Sequence, residues 1–93
     1  MSAYNVREVA RALKRKGFEP DHGDHEYLRL VVDGRKTPIR THVSHGKGFD
    51  VGPNLLAQMA RQARLSNSEF RDLVDCPLSH EEYVRILKRD GWL

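Results

Sequence analysis

Ninety-three residues carrying a formal net charge of +3, with 31% charged and 39% hydrophobic side chains, describe one folded domain over residues 1–93 rather than a disordered chain. No apolar run approaches the ~18–20 residues that cross a bilayer, the opening MSAYNVREVARALKRK lacks the apolar segment of a secretory signal, and Cys76 stands alone, so a cytoplasmic protein with no intrachain disulfide is expected. Charge is uneven: residues 1–64 sum to +5 and residues 65–93 to −2, a basic body that suits an anionic partner.

The first helix is signalled by Asn5 as N-cap with Glu8 three residues on, and by Val6, Val9, Ala10 and Leu13 on one apolar stripe. Tyr4 is expected to staple onto Val9. Arg7, Arg11, Lys14 and Arg15 share another face. Gly17 ends the helix and Phe18 turns into the core. A weak strand is expected from Phe18 to His22, kinked at Pro20. YLRLVV-DG-RKTPIRTHVS then reads as a hairpin, because Asp33-Gly34 supplies the positive φ angles of a type I′ turn. The two-residue loop predicts Leu30 opposite Thr37, Leu28 opposite Ile39, Arg29 opposite Pro38 and, if the ladder continues, His25 opposite His42. Leu28, Leu30 and Val32 face the core; Tyr27, Arg29, Lys36 and Arg40 face outward. Pro38 lacks an N–H, which makes the second hairpin strand a sheet edge.

GPNLLAQMARQARLS predicts a helix with Pro53 in its first turn and Leu55, Leu56, Met59, Ala60 and Ala63 inward. Ser66 with Glu69 caps a helix burying Phe70, Leu73 and Val74. Ser79 with Glu82 caps a last helix burying Tyr83, Ile86 and Leu87. The expected class is α+β, in the order α-β-β-β-α with extra C-terminal helices.

Three constellations carry chemistry. The outward hairpin face, with Tyr27, Arg29 and Lys36, offers an aromatic for stacking and cations for phosphate, as an RNA surface requires. Any half-buried hairpin also has a polar outer face. Second, histidines at 22, 25, 42 and 45 titrate near neutrality. RNA cleavage needs a base for the ribose 2′-OH, an acid for the leaving oxygen and a cation for the phosphorane. His25 with His42 or His45, and Arg40 or Lys47, cover those roles without a metal. Third, cross-strand imidazoles with Asp21 or Asp24 could hold zinc, yet H-x-x-H across a loop lacks helical i, i+4 geometry, so no metal site and no cofactor are expected. The glycines of GKGFDVGP lack P-loop spacing and read as a loop that touches at most one phosphate at the helix start. Cys76 before Pro77 reads as a small packed residue.

A spaced set of elements runs through the chain: a basic helix ending in KRKGF, then GDH before apolar strand residues, then HGKG after the next strand, then VGPNLLAQMARQARLSNSEF. Together, over about residues 5–70, these resemble the HicA (YcfA-like) family of toxin–antitoxin ribonucleases. The resemblance implies a small double-stranded-RNA-binding-like fold and metal-independent cleavage of mRNA. It implies an essential histidine at the position of His25, and a second family histidine at His45. It also implies inhibition by a HicB-like antitoxin. The family's GSH is GDH here, so Asp24 either raises the imidazole pKa of His25 or repels phosphate. Residues 71–93 form a helical extension beyond the 1–70 core, which either completes the core through Trp92 or covers the RNA face. A non-catalytic RNA- or protein-binding module of the same fold is the alternative reading.

Overall fold

A computed structural model describes residues 4–21, 24–43, 50–75 and 77–93, with the backbone alone for residues 24–26. In chain order the elements are β1 (Tyr4–Asn5), α1 (Val6–Arg15), β2 (Phe18–Asp21), β3 (Asp24–Val32), β4 (Arg35–His42), β5 (Asp50–Val51), α2 (Pro53–Gln62), α3 (Asn67–Asp75) and α4 (His80–Arg89). β2, β3 and β4 form an antiparallel sheet in that spatial order, so β4 is an edge, as Pro38 demands. β1 and β5 add a two-stranded pairing, Tyr4 to Val51 and Asn5 to Asp50, which ties the start of α1 to the start of α2. Two-residue strands carry no readable alternation, so neither is expected from the residue pattern.

Side chains close the helix starts as the sequence patterns predict. Asn5 accepts from the Arg7 N–H at 2.9 Å while its own N–H reaches Glu8. Ser66 and Glu69 exchange bonds of 3.1 and 2.9 Å, and Ser79 and Glu82 do the same. Each such cap is worth about 1 kcal/mol. The bonds from Ser79 hold the exposed Glu82 carboxyl below its usual range. Tyr4 packs against the core that includes Val9, and its hydroxyl donates to Asp75 at 2.9 Å. Burial first, then that bond, raises its phenol pKa.

One core cluster joins all the main elements. It contains Val6, Val9 and Leu13 of α1, Leu28, Leu30 and Ile39 of the sheet, Leu56 and Met59 of α2, Phe70 and Leu73 of α3, and Tyr83 and Leu87 of α4. The α1 stripe is rotated slightly from expectation: Ala12 is buried and Ala10 only half-buried. Trp92 does not complete the core, being 46% exposed. Tyr83 of α4 is fully buried, as its place on the apolar stripe predicts. Its ring stacks on Phe18 at 6.0 Å and its hydroxyl donates to the Ala63 carbonyl at 2.8 Å. Among the described residues no helix is long and apolar enough to cross a membrane.

The junction of α1 and β2 is held by α4 and the end of α3. Lys16 is buried, and its ammonium donates to the carbonyls of Leu73 at 2.9 Å and Leu78 at 2.6 Å, a cation at the C-terminal end of α3. His80 Nδ1 lies 2.8 Å from the Lys16 carbonyl. Gly17 is required twice over: its φ is +100°, and a Cβ there would sit 2.6 Å from His80 Nδ1.

α2 and α4 end alike. After α4, Gly91 (φ +84°) donates to Lys88 and Trp92 to Leu87, at 3.2 and 2.8 Å. After α2, Arg64 donates to Arg61 and Leu65 to Ala60, at 3.0 and 2.9 Å, but the left-handed residue is arginine, φ +65°. Both are Schellman endings. An arginine there costs about 1–2 kcal/mol relative to unstrained backbone.

Tyr83→Ala is expected to lower stability by about 3–5 kcal/mol and Tyr83→Phe by about 1 kcal/mol, both read from urea unfolding. Burial pushes the Tyr83 phenol well above its ordinary value. The stabilisation of the neutral phenol is therefore complete below the unfolded pKa of ~10 and declines as pH rises past it. Unfolding curves at pH 9 and 11 will show a loss that shrinks in Tyr83→Phe; equal losses in both proteins would place the alkaline sensitivity elsewhere.

Candidate functional site

Pairing of β3 with β4 starts as the Asp33-Gly34 turn dictates, Val32 with Arg35 and Val31 with Lys36. It then slips. Beyond Leu30 the partners are Arg29 with Arg40, Leu28 with Thr41 and Tyr27 with His42. The expected pairs Leu28–Ile39, Arg29–Pro38 and His25–His42 do not form; His42 stands opposite Tyr27. The cause is local. Pro38 has no N–H for the ladder, and Thr37 turns its hydroxyl onto the Leu30 carbonyl at 2.8 Å while accepting from the Ile39 N–H at 3.2 Å. β4 therefore carries two extra residues through an irregularity. Because the slip is even, the faces survive: Thr37, Ile39 and Thr41 are buried, and Lys36, Pro38 and Arg40 are exposed.

The slip puts two arginines directly opposite each other. Asp21 resolves the repulsion. It is 4% exposed and takes Arg29 in a bidentate pair, Nε to Oδ1 at 2.9 Å and Nη2 to Oδ2 at 3.0 Å. Arg40 Nη1 reaches the same Oδ2 at 3.1 Å. The third donor of Arg29, Nη1, donates to the Thr37 carbonyl at 2.9 Å, so this side chain also staples the irregular part of β4. The carboxylate beside it raises the Arg29 pKa further.

The rest of the face is a stack. The Arg40 guanidinium lies 4.4 Å from the Tyr27 ring centroid, and the Tyr27 and His42 rings meet at 4.7 Å with a 43° tilt. Arginine over an aromatic ring is a cation–π contact worth about 0.5–1 kcal/mol when exposed. Behind it, Gln62 at the end of α2 braces β4: its Oε1 accepts from Thr41 Oγ1 at 2.8 Å and from the His42 N–H at 3.0 Å.

The sequence-predicted residues divide accordingly. Tyr27, Arg40 and His42 come together. Arg29 joins them, with its guanidinium held by Asp21 and the Thr37 carbonyl. Lys36 is exposed at the hairpin end of the sheet, opposite Val31. His25 lies in β3, two residues before Tyr27. His22, His45, Lys47 and Cys76, with the first half of the GKGFDVGP loop, lie outside the described residues. Among the described residues no group of three or more His, Cys, Asp or Glu side chains could hold a metal ion.

Sequence reasoning missed two residues. Asp21 reads as acidic clutter beside the histidines, and only the fold shows it between two arginines. Gln62 is one carboxamide at a helix end, a pattern with no chemical signature.

The family model of the HicA toxin of bacterial toxin–antitoxin matches residues 6–65. No curated protein and no solved structure matches the chain.

Asp21→Ala leaves Arg29 and Arg40 facing each other without a counter-ion. We expect a loss of about 2–4 kcal/mol by chemical denaturation, below the range for fully buried pairs because Arg29 is partly solvated. A change under 0.5 kcal/mol would show that the cluster does not hold the sheet.

Proposed function

The chain belongs to the HicA toxin family, and on that premise we propose that it is an RNA-cleaving toxin that uses His25 as its acid–base group. The supporting observation is the family match itself, which spans residues 6–65 and so includes the GDH element and both strands of the hairpin. The fold agrees with it: a three-stranded antiparallel sheet with four helices, as in a double-stranded-RNA-binding-like domain.

The reaction needs no bound ion. A ribose 2′-OH loses its proton to an imidazole and attacks the adjacent phosphorus. The P–O5′ bond then breaks, and the 5′ oxygen takes a proton from an imidazolium. The product ends are a 2′,3′-cyclic phosphate and a 5′-hydroxyl. His25 is assigned to one of these transfers, and His42 or His45 to the other. Arg40, 48% exposed at its side chain, and Lys47 are the candidate cations for charge growing on the phosphorane. Tyr27 offers a ring for a base, with Lys36 and Arg29 lending positive charge at the sheet. The partner is an antitoxin, which we assign to the HicB type, and the compartment is the cytoplasm.

One observation favours a second reading, a non-catalytic RNA-binding module of the same fold. Asp21 occupies Arg29 and one nitrogen of Arg40, and Asp24 adds a carboxylate next to His25 in sequence. Such a face attracts phosphate less than an unopposed pair of arginines would.

Expression of the chain is expected to arrest growth, and His25→Ala to relieve the arrest and lower RNA cleavage about 10²–10⁴-fold. EDTA should leave cleavage and its cyclic-phosphate product unchanged. Arrest that persists in His25→Ala, or activity abolished by EDTA, would reject the mechanism. RNA binding with no cleavage product would select the second reading.

A further inference from the structure

Beside the Tyr27 face runs a groove of ≈ 530 Å³ between the β4 edge and α2, lined by Pro38, Arg40, Gln58, Arg61, Gln62 and Arg64. Its lining has three guanidiniums, two carboxamides and no carboxylate. Arg40 lines the groove and also covers the Tyr27 ring. Arg64 also lines it and covers the indole of Trp92, with 4.3 Å to the centroid. The groove is thus basic, and two of its three arginines each cover an aromatic ring. Among the described residues no carboxylate pairs with Arg61 or Arg64.

The sequence choice at Arg64 points the same way. The position has φ +65° and the bonding of a Schellman ending, where glycine is the unstrained residue. Gly91 fills the equivalent position after α4. The chain keeps a strained arginine where glycine would suit the backbone better, and strain retained at one residue is a sign of a role for its side chain. Trp92 comes from the segment beyond residue 65, where the family match ends.

We propose that this groove is a single-stranded RNA channel, in which Arg61 and Arg64 hold backbone phosphates and Trp92, supplied by the C-terminal extension, stacks a base. The inference rests on the RNA reading above and extends it to a binding path leading away from the Tyr27–His42 face. Channels that combine backbone-tracking cations with aromatic platforms bind single strands without sequence preference. An acidic protein segment would be held by the cations alone, whereas cations beside an aromatic platform are the combination that single-stranded nucleic acid uses.

The test uses the full chain and a fluorescein-labelled 2′-O-methyl RNA 12-mer, which cannot be cleaved because its 2′ oxygens are blocked. Anisotropy titrations are run at several salt concentrations. Arg61→Ala and Arg64→Gly should each weaken binding several-fold and reduce the slope of log K against log salt by about 0.7. Trp92→Ala should weaken binding about 5- to 100-fold with the slope unchanged. Arg64→Gly should melt no lower than the parent, since glycine relieves the left-handed backbone, so its binding loss cannot be blamed on unfolding. Parent-like binding in all three variants overturns the channel, and if His25-dependent cleavage persists, the functional reading stands without it. Weakened binding in a chain that cleaves no RNA supports the channel and removes the catalytic reading. Poly-glutamate binding as tightly as the RNA would mark the groove as a site for an acidic protein segment and overturn the proposal.

Discussion

Two arginines face each other across the centre of a small sheet, and one buried carboxylate makes this tolerable. Like charges directly opposed on neighbouring strands destabilise a sheet. Asp21, from the third strand in the layer, grips Arg29 with both oxygens and reaches Arg40 with one. The same Arg29 holds the Thr37 carbonyl. This fixes the irregular stretch of β4, and that stretch sets Tyr27 against His42 and Arg40 over Tyr27. Without the carboxylate the register of the outer face would lose this hold and keep the bonds from Thr37 and Gln62. The cluster is thus a structural keystone of the sheet, and Asp21 already engages the arginines that the outer face carries.

A second constraint acts at the far side of the core. The segment after residue 65 lies beyond the family match, yet it is not an appendage. Tyr83 and Leu87 are fully buried, Lys16 is tied to the carbonyls of Leu73 and Leu78, and His80 closes over Gly17. A sheet with helices on one face must bury that face, and α4 supplies the last of the apolar cover. Its end then delivers Trp92 beside Arg64, which links completion of the core to the basic groove.

Legibility in the sequence followed the range of the interaction. Capping boxes span three residues, and all three formed. The Asp33-Gly34 turn formed because its dihedral demand is local, and Pro38 marked β4 as an edge because a missing N–H is a property of one residue. The pairing beyond Leu30 was not legible. It turned on a threonine hydroxyl replacing a ladder bond, which no alternation pattern records. Asp21 was visible as an acid and invisible as a clamp, since its partners lie 8 and 19 residues away. Whether the extension completes the core through Trp92 or covers the outer face was open in the sequence; Trp92 is exposed and packs beside Arg64.

By itself the sequence determined the order of the helices and of the three main strands, the inward and outward faces of the hairpin, the edge strand and the family. Each of these depends on short-range periodicity, single-residue backbone chemistry or spaced motifs. The tertiary structure decided which residues of the outer face meet, which cations are spent on internal pairing, and where the C-terminal aromatic lies. Those outcomes depend on contacts between segments far apart in the chain. There, a slip of two residues keeps every side chain on its expected face while changing the partner each one finds across the sheet.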